Sequence, residues 1–358
     1  MKVYNFSAGP STLADWVKQE AQQQFVDYYG CGMSVVEMSH RSAQYTPIHQ
    51  EAKALLKELM QIPDEYEILF LQGGASTQFA MVPLNLMQTG KADYVLTGHF
   101  AEKAWQEGQK FGDAAVAGSS KEANYTYIPD VDTLTLRDDA DYLHITSNNT
   151  IFGSHYTTYP KHKCLVADMS SEILSAPVDV SQFGLIYAGA QKNIAPAGVT
   201  IVIIRKDLLG NAKDICPTML NYATHAKADS LYNTPPVFCI YMAMLTFRWI
   251  KSLGGLQAMA EINREKAALL YDYIDESGFY TNPVAKKDRS IMNVPFVTRS
   301  KELDAQFVKE AGENGLISIK GHRLVGGMRA SIYNAMPIEG VKALIAFMQK
   351  FAAEHKND

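Results

Sequence analysis

The stretch Glu67-Ile68-Leu69-Phe70-Leu71-Gln72-Gly73-Gly74-Ala75-Ser76-Thr77 joins a short apolar run to paired glycines, and the apolar segment Phe79 to Leu86 follows. The run has the length and the branched and aromatic content of a buried strand. The glycines permit a tight turn that aims successive N–H groups outward, and Ser76 and Thr77 are placed to cap a following helix. A strand, a glycine turn and a helix N-terminus in that order form a cradle for an anion such as phosphate. The pattern matches neither G-x-x-x-x-G-K-[ST] nor G-x-G-x-x-G, and by itself it is more often only a turn.

Working outward, Glu51 to Met60 (EAKALLKELM) carries apolar residues at helical spacing and is stopped by Pro63. Ala92 to Leu96, Tyr142 to Thr146, Cys164 to Ala167, Leu185 to Tyr187 and Val199 to Ile204 are further extended runs, with a helix predicted over Ala101 to Lys110. Such runs separated by helices or crossovers predict an α/β fold, its mostly parallel sheet covered by helices on both faces. The tail differs. Thr246 to Ser277 reads as helix apart from Gly254-Gly255, followed by shorter strands around Met292 to Val297 and Met328 to Ile332 and helices at Lys301 to Glu313 and Ile338 to Ala353. The expected division is a large domain, 16–257, and a smaller α+β C-terminal domain, 258–358, joined by the N-terminal segment 1–15.

The 358 residues are 47% hydrophobic and 20% charged, which excludes a disordered or collagenous chain. Lys plus Arg is 33 against 38 for Asp plus Glu, a net charge of −5 that argues against a nucleic-acid surface. Any cations that bind anions must then be concentrated in one place. Cys31, Cys164, Cys216 and Cys239 lie far apart without a C-x-x-C pair. They are expected to be buried thiols in a reducing compartment, with neither a disulfide framework nor a metal site. No signal-like apolar run opens the sequence, and Pro235 to Phe247 falls short of the ~18 residues of a membrane span. The expectation is a cytoplasmic protein without membrane or nucleic-acid partners.

Two residues at predicted strand ends carry more specific chemistry. Asp168 follows the strand CLVA, where a carboxylate is either a helix N-cap or a partly buried acid in need of a partner. Lys192 lies in Tyr187-Ala188-Gly189-Ala190-Gln191-Lys192-Asn193, among small and apolar residues. Most loop lysines are solvated, but desolvation there lowers the pKa toward a nucleophilic amine. A phosphate cradle, an acid able to keep a pyridine nitrogen protonated and an amine able to form a Schiff base are together what pyridoxal 5'-phosphate demands. A second set is cationic: His40-Arg41 and His322-Arg323, with Arg329 beyond Gly326-Gly327. Each pair alone reads as a salt-bridged surface. The glycines suggest a turn that carries Arg329 into a cleft, where its planar fork binds carboxylate or phosphate at two points.

These residues, from Asn5-Phe6-Ser7-Ala8-Gly9-Pro10 to Gly326-Gly327-Met328-Arg329-Ala330-Ser331-Ile332-Tyr333-Asn334-Ala335, closely resemble the phosphoserine aminotransferases. These are class V pyridoxal-phosphate enzymes of the type I aminotransferase fold. The match is most specific at Ile186 to Asn193 and at Gly321-His322-Arg323. The resemblance implies that Lys192 bears the cofactor aldehyde, that Asp168 pairs with the pyridine nitrogen, and that Ala75, Ser76 and Gln191 hold the phosphate. It places Thr150 near the cofactor hydroxyl, and Asn233 and Thr234 at the cofactor phosphate of a neighbouring subunit. It assigns Arg329 to the substrate α-carboxylate and His322, Arg323, His40 and Arg41 to the distal anion, the last two across a homodimer with its active sites at the interface. Where the family has tryptophan in G-x-W, this chain reads Gly98-His99-Phe100, so Phe100 is expected to stack on the pyridine ring and Trp105 to pack elsewhere.

The implied reaction moves an amino group reversibly from L-glutamate to 3-phosphohydroxypyruvate, giving 3-phospho-L-serine and 2-oxoglutarate in L-serine biosynthesis. Related phosphorylated substrates on the route to pyridoxine stay open. A glyoxylate-type aminotransferase would not need two His-Arg pairs. A cysteine desulfurase would need a thiol-bearing loop, and no cysteine follows Cys239. A non-catalytic binder of phosphorylated ligands would leave Lys192 and Asp168 as bystanders.

Overall fold

The apolar stripe of the second helix shows how the chain assembles: Tyr45, Ile48, Ala52, Leu55, Leu56 and Met60 recur at helical spacing and are all buried. In the computed structural model, which describes residues 2–356, the chain begins with β1 (Tyr4–Asn5), α1 (Asp15–Gln24) and α2 (Tyr45–Met60). There follow β2 (Tyr66–Leu71), α3 (Gly74–Leu86), β3 (Lys91–Leu96), α4 (His99–Gly108) and β4 (Asp113–Ser119). The sheet is completed by β5 (Leu143–Thr146), β6 (Leu165–Asp168), β7 (Leu185–Gly189) and β8 (Thr200–Arg205). Its seven strands lie in the order β2-β8-β7-β6-β5-β3-β4, and only β8 runs against its neighbours. The expected α/β architecture with a mostly parallel sheet is therefore present. Strands β5 to β7 are buried throughout, because helices cover both faces and the run need not alternate with polar residues.

After the short α5 (Tyr222–Lys227) the chain enters α6 (Val237–Ser252), whose buried residues include Ile240, Tyr241, Met244, Leu245 and Phe247. The apolar run seen in the sequence is thus a core helix, and it begins nine residues ahead of the expected Thr246. It meets α7 (Gly255–Glu276) at an angle of 83°, with Gly254 and Gly255 at φ 104° and 76°. That left-handed backbone is open to glycine at little steric cost. Among the described residues, no single helix is long and apolar enough to cross a membrane.

The remaining elements are β9 (Asn293–Phe296), α8 (Lys301–Glu313), β10 (Leu316–Ile317), β11 (Met328–Ser331) and α9 (Ile338–Glu354). β9 and β11 pair antiparallel, and β1 pairs with β10 in parallel. A second apolar cluster gathers Phe6 from the N-terminal segment with Leu270, Phe296, Phe307, Leu344 and Phe351. All four cysteines are free, but only Cys164 is buried; Cys31, Cys216 and Cys239 are partly exposed, contrary to expectation. Cys31 and Cys216 lie in loops and Cys239 in the first turn of α6.

Candidate active site

The carboxyl ends of β5, β6 and β7 and the N-terminus of α3 enclose one cavity of about 270 Å³. Gly73, at φ 90°, stands just before α3, and a Cβ there would fall 2.1 Å from Thr77 Oγ1. Glycine is therefore required for the turn that opens the helix toward the cavity. The helix begins at Gly74, so Ser76 and Thr77 do not cap it as expected; they lie in its first turn, and Thr77 Oγ1 donates to Gly73 O at 2.8 Å. Ala75 and Ser76 line the cavity beside unpaired backbone N–H groups of that first turn, which suits a phosphate.

Asp168 ends β6 opposite Thr146 of β5 and is 5% exposed. Its Oδ1 accepts from Ser170 N–H at 2.9 Å. Burial pushes its carboxyl above the ordinary value, opposed by the Ser170 hydrogen bonds and the Lys192 charge. The bland N-cap reading does not hold, since no helix starts there.

Lys192 sits in the turn after β7, with its Nζ donating to Thr150 Oγ1 at 2.7 Å and lying 5.8 Å from the Phe100 ring centre. Burial brings the amine down to about 8; the Asp168 charge opposes this and the Arg329 charge adds to it. Its backbone is tied to the N-terminal segment: Ser11 Oγ donates to Lys192 O, and Ser11 N–H to Gln191 O at 2.9 Å. Gly9 lies alongside, where a Cβ would be in ordinary van der Waals contact, 3.5 Å from Lys192 Cγ. Gln191 and Phe100 both line the cavity. Trp105 does not, and instead donates from Nε1 to Ala114 O at 2.9 Å.

Arg329 reaches the same cavity from β11, just past the Gly326-Gly327 turn, and its Nη1 donates to Thr150 O at 3.2 Å. Burial lowers its pKa from the ordinary value, which leaves a guanidinium that gains from an anion. The two members of the second His-Arg pair part company. His322 lines the cavity, whereas Arg323 is exposed and lines a separate groove with Arg299 and Lys320.

His40, Arg41, Asn233 and Thr234 do not line the cavity. His40 is buried and, among the described residues, has no hydrogen-bond partner for Nε2; Arg41 and Thr234 are exposed, and Asn233 is partly exposed. The Thr234 carbonyl accepts from Gln72 Nε2 at 2.9 Å, which links this loop to the residue ahead of the glycine turn. Sequence reasoning missed Asn148, Ser170 and Ser171, which also line the cavity. Asn148 Nδ2 donates to Ser171 Oγ at 2.8 Å and to Asn293 Oδ1 at 2.9 Å, bridging the sheet to β9. The available signal was a polar run, Ser147 to Thr150, at a strand's carboxyl end. Among the described residues no three His, Cys, Asp or Glu side chains gather as a metal site.

Buried Asp168, desolvated Lys192 and the open N-terminus of α3 face one space, and this donor set fits pyridoxal phosphate at each of its polar ends. The model of the family "Aminotransferase class-V" matches residues 3–344. The phosphoserine aminotransferase of Bacillus cereus (strain ATCC 14579) is 55% identical over 358 residues, 99% of each chain. That of Geobacillus kaustophilus is 55% identical over 98% of each. Among solved structures, phosphoserine aminotransferase from Bacillus circulans subsp. alkalophilus superposes with a TM-score of 0.97 at 50% identity, covering 99% of each chain. The pyridoxal-phosphate-bound enzyme of Trichomonas vaginalis gives 0.93 at 38% identity, covering 97% of this chain and 100% of that one.

Proposed function

The chain belongs to the class V aminotransferases, and from that membership we propose the reaction its cavity performs. It is a pyridoxal-phosphate-dependent transaminase that moves the amino group reversibly from L-glutamate to 3-phosphohydroxypyruvate, giving 3-phospho-L-serine and 2-oxoglutarate in L-serine biosynthesis. The observation that carries this reading is the meeting of Lys192, Asp168, the α3 N-terminus and Arg329 around one cavity.

When bound, the cofactor supplies an electron sink conjugated to the substrate Cα. Ala75, Ser76 and the first turn of α3 would hold its phosphate, with Gln191 also lining the cavity. Asp168 would hold a proton at the ring nitrogen, Thr150 would meet the ring hydroxyl, and Phe100 would pack on the ring, all three lining the cavity. The Lys192 amine, brought down to about 8 by desolvation, would be the group that holds the cofactor aldehyde, and its Nζ would move the proton to or from the substrate Cα. Arg329 clamps the α-carboxylate common to both substrates. His322, which lines the cavity, and Arg323, the next residue of the same loop, are assigned to the distal anion.

We assign His40, Arg41, Asn233 and Thr234 to the neighbouring cavity of a homodimer. Their absence from the lining of their own cavity supports this, as do exposed Phe25, Val26, Tyr29, Val36 and Tyr232 on the same chain segments. The division into domains 16–257 and 258–358, with 1–15 joined to the latter, is supported by the β1–β10 pairing and by Phe6 in the second apolar cluster. Four free cysteines are in keeping with a cytoplasmic location.

The deciding experiment is the visible spectrum of the purified protein titrated with glutamate, phosphoserine and alanine. The cofactor band should bleach with the first two and barely with alanine; bleaching by alanine alone would overturn the substrate. Arg41→Ala should weaken phosphoserine turnover more than alanine turnover, and equal losses would remove Arg41 from the distal site.

A further inference from the structure

His99 is the first residue of α4; it is not itself in the cavity lining, but its ring neighbours two residues that are, Phe100 and His322. Its ring centre is 5.6 Å from that of Phe100 and 6.4 Å from that of His322, the two imidazoles being tilted by 36°. It is partly exposed and makes no hydrogen bond to a described residue, so both ring nitrogens are available. His322 Nδ1 accepts from Leu324 N–H at 3.3 Å, which leaves Nε2 as its donor.

Among the described residues the charges facing the pair are mostly positive: Lys103 from α4 itself, and Arg323 and Arg329 from the C-terminal part of the chain, with Glu102 the one acid. Burial first, and these cations after it, lower the pKa of both imidazoles. Two neutral imidazoles so close together in a cationic setting are poised to take up a proton when an anion arrives. A phosphate monoester carries about −1.5 to −2 charges at neutral pH and three acceptor oxygens, so it draws that proton more strongly than a carboxylate does.

We propose that His99 is a specificity-determining residue which, paired with His322, binds the substrate's distal phosphate in a proton-linked way and thereby favours phosphoserine over glutamate. The proposal rests on the distal-anion role given to His322 above.

The test uses the holoenzyme and measures kcat/KM for phosphoserine and for glutamate between about pH 5 and 8, the range over which histidine changes charge. In the parent enzyme the phosphoserine-to-glutamate ratio should fall as pH rises. In His99→Ala the ratio should drop about tenfold at low pH, the lower-end worth of one charge-assisted hydrogen bond, and its pH dependence should flatten. His99→Gln, of similar size and with a neutral donor, should recover part of the ratio and none of the pH dependence. A ratio or a pH dependence unchanged in His99→Ala overturns the proposal. His322→Ala separates the layers: if it lowers the ratio and His99→Ala does not, only the His99 assignment fails. If neither lowers it, the distal-anion reading fails with it.

Discussion

Lys192 and Lys266 are both withdrawn from bulk water, and their surroundings are opposite. Lys266, on α7, is 0% exposed, and its Nζ donates to the carbonyls of Ile332 (3.0 Å), Tyr333 (2.8 Å), Asn334 (3.4 Å) and Met336 (3.1 Å). Burial by itself brings its amine down to about 7, while the four oxygens around it favour the ammonium. Lys192 has a single hydroxyl partner and opens onto a cavity. A lysine saturated with acceptors cross-links backbone, whereas one desolvated and left with a free flank is ready to act as a nucleophile. The two are also connected. Tyr333, whose carbonyl Lys266 holds, donates from its hydroxyl to Ala8 O at 2.9 Å, and Ala8 lines the cavity. Asn334 N–H donates to Asn193 Oδ1 at 3.1 Å, beside Lys192.

The largest expected effect separates the two lysines outright. Lys192→Ala should lower transamination by about 10⁴-fold, the upper range for a lost acid–base group, and should abolish borohydride-stable attachment of the cofactor. Its thermal midpoint should stay near that of the parent. Retained attachment would move the nucleophile elsewhere, and Lys266 would then be the first residue to examine.

Next in size is Asp168→Asn, nearly isosteric but unable to balance a protonated ring nitrogen. Turnover should fall about 10²-fold or more, with the protein still folded and cofactor-loaded, as for loss of one preorganised electrostatic contact. Steady-state kinetics showing a merely twofold change would leave Asp168 as a structural carboxylate.

Lys266→Met should behave in the reverse manner. Leaving several buried carbonyls without a donor should cost roughly 3 kcal/mol in urea unfolding, while the folded fraction keeps its activity within a few-fold. Unchanged stability would show that the cage of carbonyls is not holding the turn.

The smallest effect is in the pH dependence of stability of the cofactor-free protein. Because the Lys192 pKa is lowered from 10.5 to about 8 on folding, the unfolded chain binds more protons between those values. Its contribution to stability therefore rises with pH across that window and is complete above it. Lys192→Ala should flatten this part of the slope. Lys266→Met should leave it unchanged if the carbonyl cage keeps that residue charged, and equal flattening by both variants would make the two lysines alike.

Much of the fold was legible because the strands are short uninterrupted apolar runs and the breaks between them are glycine, proline and polar clusters. Helix α8 matches its expected bounds, and β5 to β8 differ from theirs by at most two residues at an end. Strand β4, Asp113 to Ser119, was not read, since Ala114-Ala115-Val116-Ala117 has little strand signature; pairing with β3 makes it one. The capping roles of Ser76 and Thr77 were misjudged because the helix start depends on the left-handed backbone of Gly73 and Gly74.

By itself the sequence determined the α/β class, the strand–glycine–helix cradle, and the identity of Asp168 and Lys192 as candidates, since each rests on residues close together in the chain. Only the tertiary structure decided that Lys192 is desolvated beside a cavity while Lys266 is caged. The same holds for the turning of His322 inward and Arg323 outward, the approach of His99 to His322, and the absence of His40 and Arg41 from the lining of their own chain's cavity. Those outcomes depend on sheet order and on contacts between residues far apart in the chain. Burial, and with it the chemistry of an ionisable group, is a property of the neighbours such contacts bring.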